Sequence, residues 1–304
     1  MSFSQDVKKE IMARDVEDGC CPAAVYGLAC FAKRFDAEGI VLQTERLTIA
    51  QYAKALFGRV GVAGKIFVRS SEKAHTYQFA VREPREVQKA LALFGRTGNE
   101  PSLRINSAVL TGGQSIRAFA ASAFLCGGTI TNPQREYNLE FLSVRYRLIL
   151  DLEALLMGQG FSPKHTRRKG FNVLYFKASE QIEDMLTFMG AQNAALEIMN
   201  LKVYKDLRNK ANRITNCETA NIDKTVYASG QTLSAIGCLR QQGALDTLPE
   251  PLRDAARMRE AYPDISLKEL AGKFQPPLSK SGLSHRLKKL EQAADALREK
   301  VNHD

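Results

Sequence analysis

Cysteines at metal-binding or redox spacing are missing from this sequence. Its six cysteines (Cys20, Cys21, Cys30, Cys126, Cys217, Cys238) fall at irregular spacings without a C-x-x-C, and only four histidines accompany them. Zinc sites and disulfide frameworks need ligands or partners in recurring pairs, so neither is expected, and no metal or cofactor is assigned. Long apolar runs are missing as well: no stretch approaches the roughly 20 residues that cross a bilayer. The start, "MSFSQDVKKEIMARD", mixes acids with bases and lacks the apolar core of a secretory leader. A cytoplasmic protein with no membrane association is therefore expected. Acids are in deficit, with 33 Asp and Glu against 43 Lys and Arg and a net charge of +10, which favours a polyanionic partner such as nucleic acid.

Catalytic groupings are also scarce. "GVAGK" at 61–65 lacks the longer loop and the following Ser or Thr that cradle phosphates and hold magnesium. His75 and His165 stand near no nucleophile motif, and read as polar residues beside hairpins. Asp151 and Glu153, two residues apart in "DLEALL", point to different helix faces and make no acid/base pair. No small-molecule substrate is evident.

What is present is an internal duplication. With 304 residues, 44% of them hydrophobic, the chain is long enough for two domains. Residues 22–95 read as helix (Ala23 to Lys33), an extended pair around "GIVLQTERL", helix (Ile49 to Arg59), strands "KIFVRS" and "HTYQFAVR", and helix (Pro84 to Phe94). The same order returns over 117–190. A helix of small and apolar residues, "RAFAASAFLCGGTI", leads into an extended pair through "TIT" and "YNLEFLSV". Helix Tyr146 to Met157, strands around "FSPKHTRR" and "FNVLYFK", and helix Glu180 to Phe188 complete it. "QFAV" at 78 and "VLYF" at 173 stand 95 residues apart, as do "ALFG" at 92 and "TFMG" at 187. The first helix of the second copy is expected to pack closely on a partner, and Gly127 and Gly128 to end it through the left-handed conformation that glycine tolerates.

After residue 200 the strands stop. Residues 201–222, rich in Asn and short of large apolar residues, read as a linker able to carry a helix. The rest, 223–304, is all-helical: Val226 to Arg240, Pro249 to Ala261, Ser266 to Phe274, and Ser281 to about Val301, separated by "GALDTLP", "YPD" and "QPPLS". Ser266 and Glu269 have capping-box spacing, Pro276 and Pro277 end the short helix they start, and Ser279 or Ser281 caps the next. In that last helix Leu283, Leu287, Leu290 and Ala294 share one face. Residues 273–290 hold five Lys and Arg and no acid. This is helix-turn-helix geometry over about 265–298, with the second helix reading the major groove of double-stranded DNA. Ser279, Lys280 and Ser281 are the candidate phosphate ligands at its start. Ser284, His285 and Lys288 are candidates for base edges, with Arg286 and Lys289 completing the basic half. The competing account is a solvated basic helix in a small bundle.

A second basic cluster, "KHTRRKG" at 164–170, reads as a strand-to-strand turn. Lys164, Arg167, Arg168 and Lys169 are candidate phosphate contacts there, unless they are only a solvated hairpin tip.

Two α-β-β-α-β-β-α copies, each opened by a tightly packed helix, resemble the LAGLIDADG homing endonuclease fold. In that fold the paired motif helices join two half-domains, and each motif ends in a metal-binding acid followed by Gly. "AASAFLCGG" (120–128) aligns with the nine-residue motif and puts Gly127 at the acid position, and "YGLACFAKR" (26–34) puts Lys33 there. A residue without a side chain and a cation oppose metal binding. The whole chain resembles the WhiA family of bacterial DNA-binding transcription regulators, most closely in "CCPAA" (20–24), "FLCGGTITNP" (124–133), "NRITNCETANIDKT" (212–225) and the stretch 248–294 that contains "SKSGLSHRL". The resemblance implies an α+β protein in which residues 1–200 form a degenerate LAGLIDADG-like pseudo-dimer, followed by an all-α helix-turn-helix domain. It further implies a nucleoid-associated regulator linked to sporulation or cell division, without nuclease activity, whose partners are double-stranded DNA and candidates such as the transcription machinery or another regulator. The alternatives are a metal-dependent endonuclease of the LAGLIDADG type, and a protein-interaction module recruited to DNA.

Overall fold

The structure, a computed structural model, describes residues 2–70 and 75–301. The chain divides into two compact units between Tyr204 and Lys205. In the first, helix α1 (Phe3–Ala13) precedes the duplicated part and buries Val7 and Ile11. The sequence reading has no helix there, because the buried stripe is only this pair. Next come α2 (Cys21–Cys30), β1 (Arg34–Asp36), β2 (Gly39–Thr44), α3 (Leu47–Arg59), β3 (Lys65–Ser70), β4 (His75–Val81) and α4 (Pro84–Leu93). The second copy runs α5 (Gly113–Gly127), β5 (Gly128–Ile130), β6 (Leu139–Ser143), α6 (Tyr146–Met157), β7 (Lys164–Arg168), β8 (Phe171–Phe176) and α7 (Ser179–Met189).

Each copy forms a four-stranded antiparallel sheet, in the orders β1-β2-β4-β3 and β5-β6-β8-β7. The helices that cover them carry apolar residues at helical period: Ile49, Ala53, Leu56 and Phe57 on α3, and Leu148, Ile149, Leu152 and Leu156 on α6, are all buried. Between the sheets α2 and α5 pack along each other. α2 is apolar all round, and its nine residues Cys21 and Ala23 to Cys30 are buried. Gly27 makes the approach possible, since a Cβ there would lie 2.4 Å from the Phe119 carbonyl oxygen and 3.1 Å from Ser122 Cβ. Gly27 and Ser122 are themselves 95 positions apart in the sequence, so equivalent residues of the two copies meet where their helices cross.

The ladders repeat between the copies. Leu42 pairs with Phe79 as Phe141 pairs with Leu174, and Phe35 pairs with Ile40 as Ile130 pairs with Leu139. Phe35 and Ile130, like Phe79 and Leu174, keep the offset of 95, while β6 lies further along because the turn before it is longer than the one before β2. Extending the β1 and β5 register back makes Ala32 equivalent to Gly127 and Lys33 to Gly128. The motif correspondence of Lys33 with Gly127 is therefore displaced by one residue. α2 also ends at Cys30, not at Lys33. The Arg145 guanidinium supplies the reason: it donates to the carbonyls of Cys30 (3.1 Å), Ala32 (2.8 Å) and Lys33 (3.3 Å), replacing the donors of a further helical turn. The glycine pair ends α5 where expected but by a different means. Gly128 caps it in extended conformation (φ −91°), and a Cβ on Gly127 would lie 2.7 Å from the Leu142 carbonyl oxygen. Close packing, not left-handed backbone, demands these two glycines.

Residues 201–222 lie inside one long helix, α8 (Gln192–Gln241). The Glu10 carboxylate from α1 caps its start, accepting from the backbone N–H of Asn193 (2.6 Å) and Ala194 (3.1 Å). In the second unit α8 is followed by α9 (Glu250–Ala261), α10 (Leu267–Gly272) and α11 (Lys280–Val301). Every residue from 206 to 224 is exposed. Packing resumes at Ser229, and a separate core gathers Ile236 and Leu239 of α8, Ala255 and Ala256 of α9, Leu270 of α10, and Leu283, Leu287 and Leu290 of α11.

Candidate nucleic-acid interface

The short helix α10 starts on the expected capping box. Ser266 Oγ accepts from the Glu269 N–H at 3.3 Å, and the Glu269 carboxylate accepts from the Ser266 N–H at 3.0 Å. That second bond holds the Glu269 carboxyl below its usual range. The loop before α10 is fixed from α9, where the buried Arg259 guanidinium donates to the carbonyls of Tyr262, Pro263 and Ile265 at 3.0–3.3 Å. The turn after it is closed by the Leu278 N–H on the Ala271 carbonyl at 3.0 Å. α11 then begins at Lys280, and of the two candidate caps Ser279 is used: its hydroxyl accepts from the Gly282 N–H at 3.0 Å.

Leu283, Leu287, Leu290 and Ala294 seat α11 in the core, each at most 4% exposed. The remaining faces follow from helical period. Lys280, Ser284 and Lys288 form one exposed stripe, Ser281, His285 and Lys289 the next, and Arg286 is half-buried at the edge. None of Lys280, Arg286, Lys288 and Lys289 is in an ion pair among the described residues, whereas Arg253, Arg257 and Arg240 around α9 are paired with Glu250, Asp254 and Glu260. Four uncompensated cations thus stand in the first half of α11, beside N–H groups at Lys280 and Ser281 that a helix start leaves open.

The other basic cluster is built differently from its sequence reading. Lys164 to Arg168 is the edge strand β7, and only Lys169 and Gly170 form the turn, at φ 49° and 83°. Lys164 and Arg168 therefore face one side of the sheet and Arg167 the other. Arg168 is bound to Glu140 at 2.8 Å, and His165 to Glu153 at 3.0 Å. The four cations do not converge. Asp151, set aside as a catalytic group, accepts two bonds from Arg104 (2.7 and 2.6 Å) and one from the Ile105 N–H (2.9 Å), anchoring the connection between the copies.

At the ends of α2 and α5 the residues do not fit a divalent metal. Lys33 is exposed and donates to Gln43 at 2.9 Å, Gly127 has no side chain, and Ala32 and Gly128, the register equivalents, add no ligand. Cations sit there instead. Arg145 holds the Cys30 carbonyl, and Lys8 donates at 3.1 Å to the carbonyl of Leu125, the residue equivalent to Cys30. Burial lowers the pKa of both cations. Among the described residues no group of three His, Cys, Asp or Glu could hold a metal ion.

Two family descriptions match in succession: the WhiA LAGLIDADG-like domain over residues 116–208, and the WhiA C-terminal HTH domain over residues 211–294. A relative from Clostridium acetobutylicum, named "Probable cell division protein WhiA", is 34% identical over 98% of this chain and 99% of its own length. The chain belongs to the WhiA family. The crystal structure of full-length DUF199/WhiA from Thermatoga maritima is similar at a TM-score of 0.61 and 20% identity, covering 97% of this chain and 99% of that one. The N-terminal LAGLIDADG domain of DUF199/WhiA gives 0.50 at 16% identity over 62% of this chain and 90% of that one. The WhiA fold therefore accounts for both units, a LAGLIDADG-like domain followed by a helix-turn-helix domain. No helix among the described residues is long and apolar enough to cross a membrane. Sequence reasoning missed Arg145 and Lys8, whose targets lie more than a hundred residues away and leave no local signal.

Proposed function

We propose that this WhiA-family protein binds double-stranded DNA sequence-specifically through α10 and α11, and acts as a non-cleaving, nucleoid-associated transcription regulator in cell division or sporulation. The observation that carries this reading is the exposed, unpaired cationic face of α11 on a packed helix-turn-helix core. Ser284, His285, Lys288 and Lys289 meet the major groove, Arg286 stands at its edge, and the Lys280 ammonium with the free N–H groups of Lys280 and Ser281 meets phosphate. Ser279 contributes by capping that helix. The name of the Clostridium relative supports the tie to cell division. The absence of cutting is supported by Arg145 and Lys8 at the two motif-helix ends, since cations there repel a dication. In the first unit Lys164, Arg167 and Lys169 add weaker phosphate contacts, and the transcription machinery or another regulator is the second partner.

The test is retention of a promoter-fragment pool by the full chain at several salt concentrations in magnesium, with products run on a denaturing gel. Selective, salt-sensitive retention of intact fragments is expected. The triple variant Arg286→Ala, Lys288→Ala, Lys289→Ala should lose about 1–3 kcal/mol for each base contact removed and less for each phosphate contact. Cut fragments would restore the nuclease reading, and unchanged binding by the triple variant would remove α11 from the interface.

A further inference from the structure

The second unit has a groove of about 580 Å³ between α8 and α11. Asn221 and Lys224 of α8 line one wall, Lys280, Ser284 and Lys288 of α11 the other, and Lys268 lies at the start of α10. None of the four lysines is in an ion pair among the described residues. The carboxylate on the wall, Glu291, is half-buried and accepts from the Thr232 hydroxyl at 2.6 Å, while the Arg259 guanidinium is turned to the backbone carbonyls already described. The groove is thus positively charged and rich in donors. Its charge differs in kind from that around α9, where arginines are matched by acids.

The cationic wall continues along α8 beyond the groove. Arg213 stands eleven residues before Lys224 in the sequence, about three helical turns, and so shares its face. It is exposed and in no ion pair among the described residues, on a length of helix where every residue from 206 to 224 is exposed. This length exposes Leu207, Ile214 and Ile222 together with its polar residues, so packing accounts for none of its faces, and the row of Arg213, Asn221 and Lys224 that continues the groove wall has no acidic partner among the described residues.

We propose that this face of α8 is a second wall of the DNA interface, with the phosphate backbone of one strand lying in the groove. Lys224, Lys268 and Lys280 neutralise its phosphates, the Asn221 amide donates to it, and Arg213 meets the backbone further along. α11 then contacts the same DNA twice, base edges through Ser284, His285 and Lys288 and phosphate through Lys280 at its start. The walls mix these cations and donors with apolar surface from Leu267 and Leu287, and it is the four unpaired lysines, set against a single carboxylate already bonded to Thr232, that favour a polyanionic occupant over a peptide. This inference rests on the DNA-binding reading above.

The test is binding of the full chain to a short, fluorescent, mixed-sequence DNA duplex between about 50 and 200 mM salt, where each lost phosphate contact flattens the plot of log affinity against log salt by about 0.9. The double variant Arg213→Ala, Lys224→Ala should flatten it by nearly two such steps and weaken binding several-fold, and Arg213→Lys, Lys224→Arg should restore it. Arg208→Ala removes a like charge from the opposite side of α8 and should leave the slope unchanged. If the Arg213/Lys224 variant keeps the native slope while Lys288→Ala, Lys289→Ala loses affinity, α8 is not a wall of the interface. An equal loss from Arg208→Ala would also overturn the proposal, since only overall charge would then be acting. If neither α8 nor α11 variants alter binding, it is the DNA-binding reading of α11 that fails.

Discussion

Glu183 lies on α7, 7% exposed, with its Oε1 unpartnered among the described residues. Burial pushes its carboxyl above the ordinary range, with the charge of Lys202 opposing that and those of Glu180 and Asp184 adding to it. A carboxyl whose folded pKa is raised destabilises the fold where it must be ionised, so its cost appears as pH rises through the unfolded and then the folded value. Glu183→Gln, which keeps the shape and the acceptor but removes the buried charge, should therefore raise unfolding stability at pH 7 by roughly 1 kcal/mol. Urea titrations should show that gain vanish below about pH 4, where the native carboxyl is protonated in both states. Equal stability of the two proteins at pH 7 would show that the carboxylate is solvated. Its charge alone would put this glutamate of "SEQIEDMLTFM" at the surface. Period alone puts Ile182, Met185, Leu186 and Met189 inward, and Glu183 follows because it stands beside them.

At the scale of elements, the crossing of α2 and α5 is the sharpest constraint in the first unit. A Cβ on Gly27 would press on a backbone carbonyl that belongs to another helix and cannot rotate away. Gly27→Ala should cost about 3 kcal/mol, the upper part of the range for overpacking, because the helices must separate. Gly58, in α3, is the internal comparison, because a Cβ added there would have nothing within 4 Å. Gly58→Ala should gain a few tenths to about 1 kcal/mol from helix propensity. Thermal unfolding checks both, and a harmless Gly27→Ala would mean that the two helices have slack. The strand "KIFVRS" and the helix Tyr146 to Met157 were legible to the residue, since period and turn residues agree there. The end of α2 and the turn at 169–170 were not. The first is set by a guanidinium from the other copy, and the second by two residues at positive φ that shift the hairpin's corner past Arg168.

For the whole molecule, two clusters of buried residues with no common member hold the two units. Separate cores unfold as separate cooperative units. Leu287→Ala, which empties a site 4% exposed in the second core, should lower that unit's calorimetric transition by an amount equivalent to about 2–5 kcal/mol, the usual cost of such a deletion, and leave the other transition in place. One merged transition that shifts as a whole would show a single cooperative core instead. The sequence by itself determined the element order of the two copies, the 95-residue repeat, the capping box at Ser266 and the apolar face of α11, because each depends on neighbours within a few turns or on a repeated pattern. Only the tertiary structure decided that Arg145 and Lys8 occupy the motif-helix ends, that the charges of "KHTRRKG" diverge, and that Asn221 and Lys224 line one groove with α11. These depend on which distant groups meet once the core has closed, and local period carries no record of that.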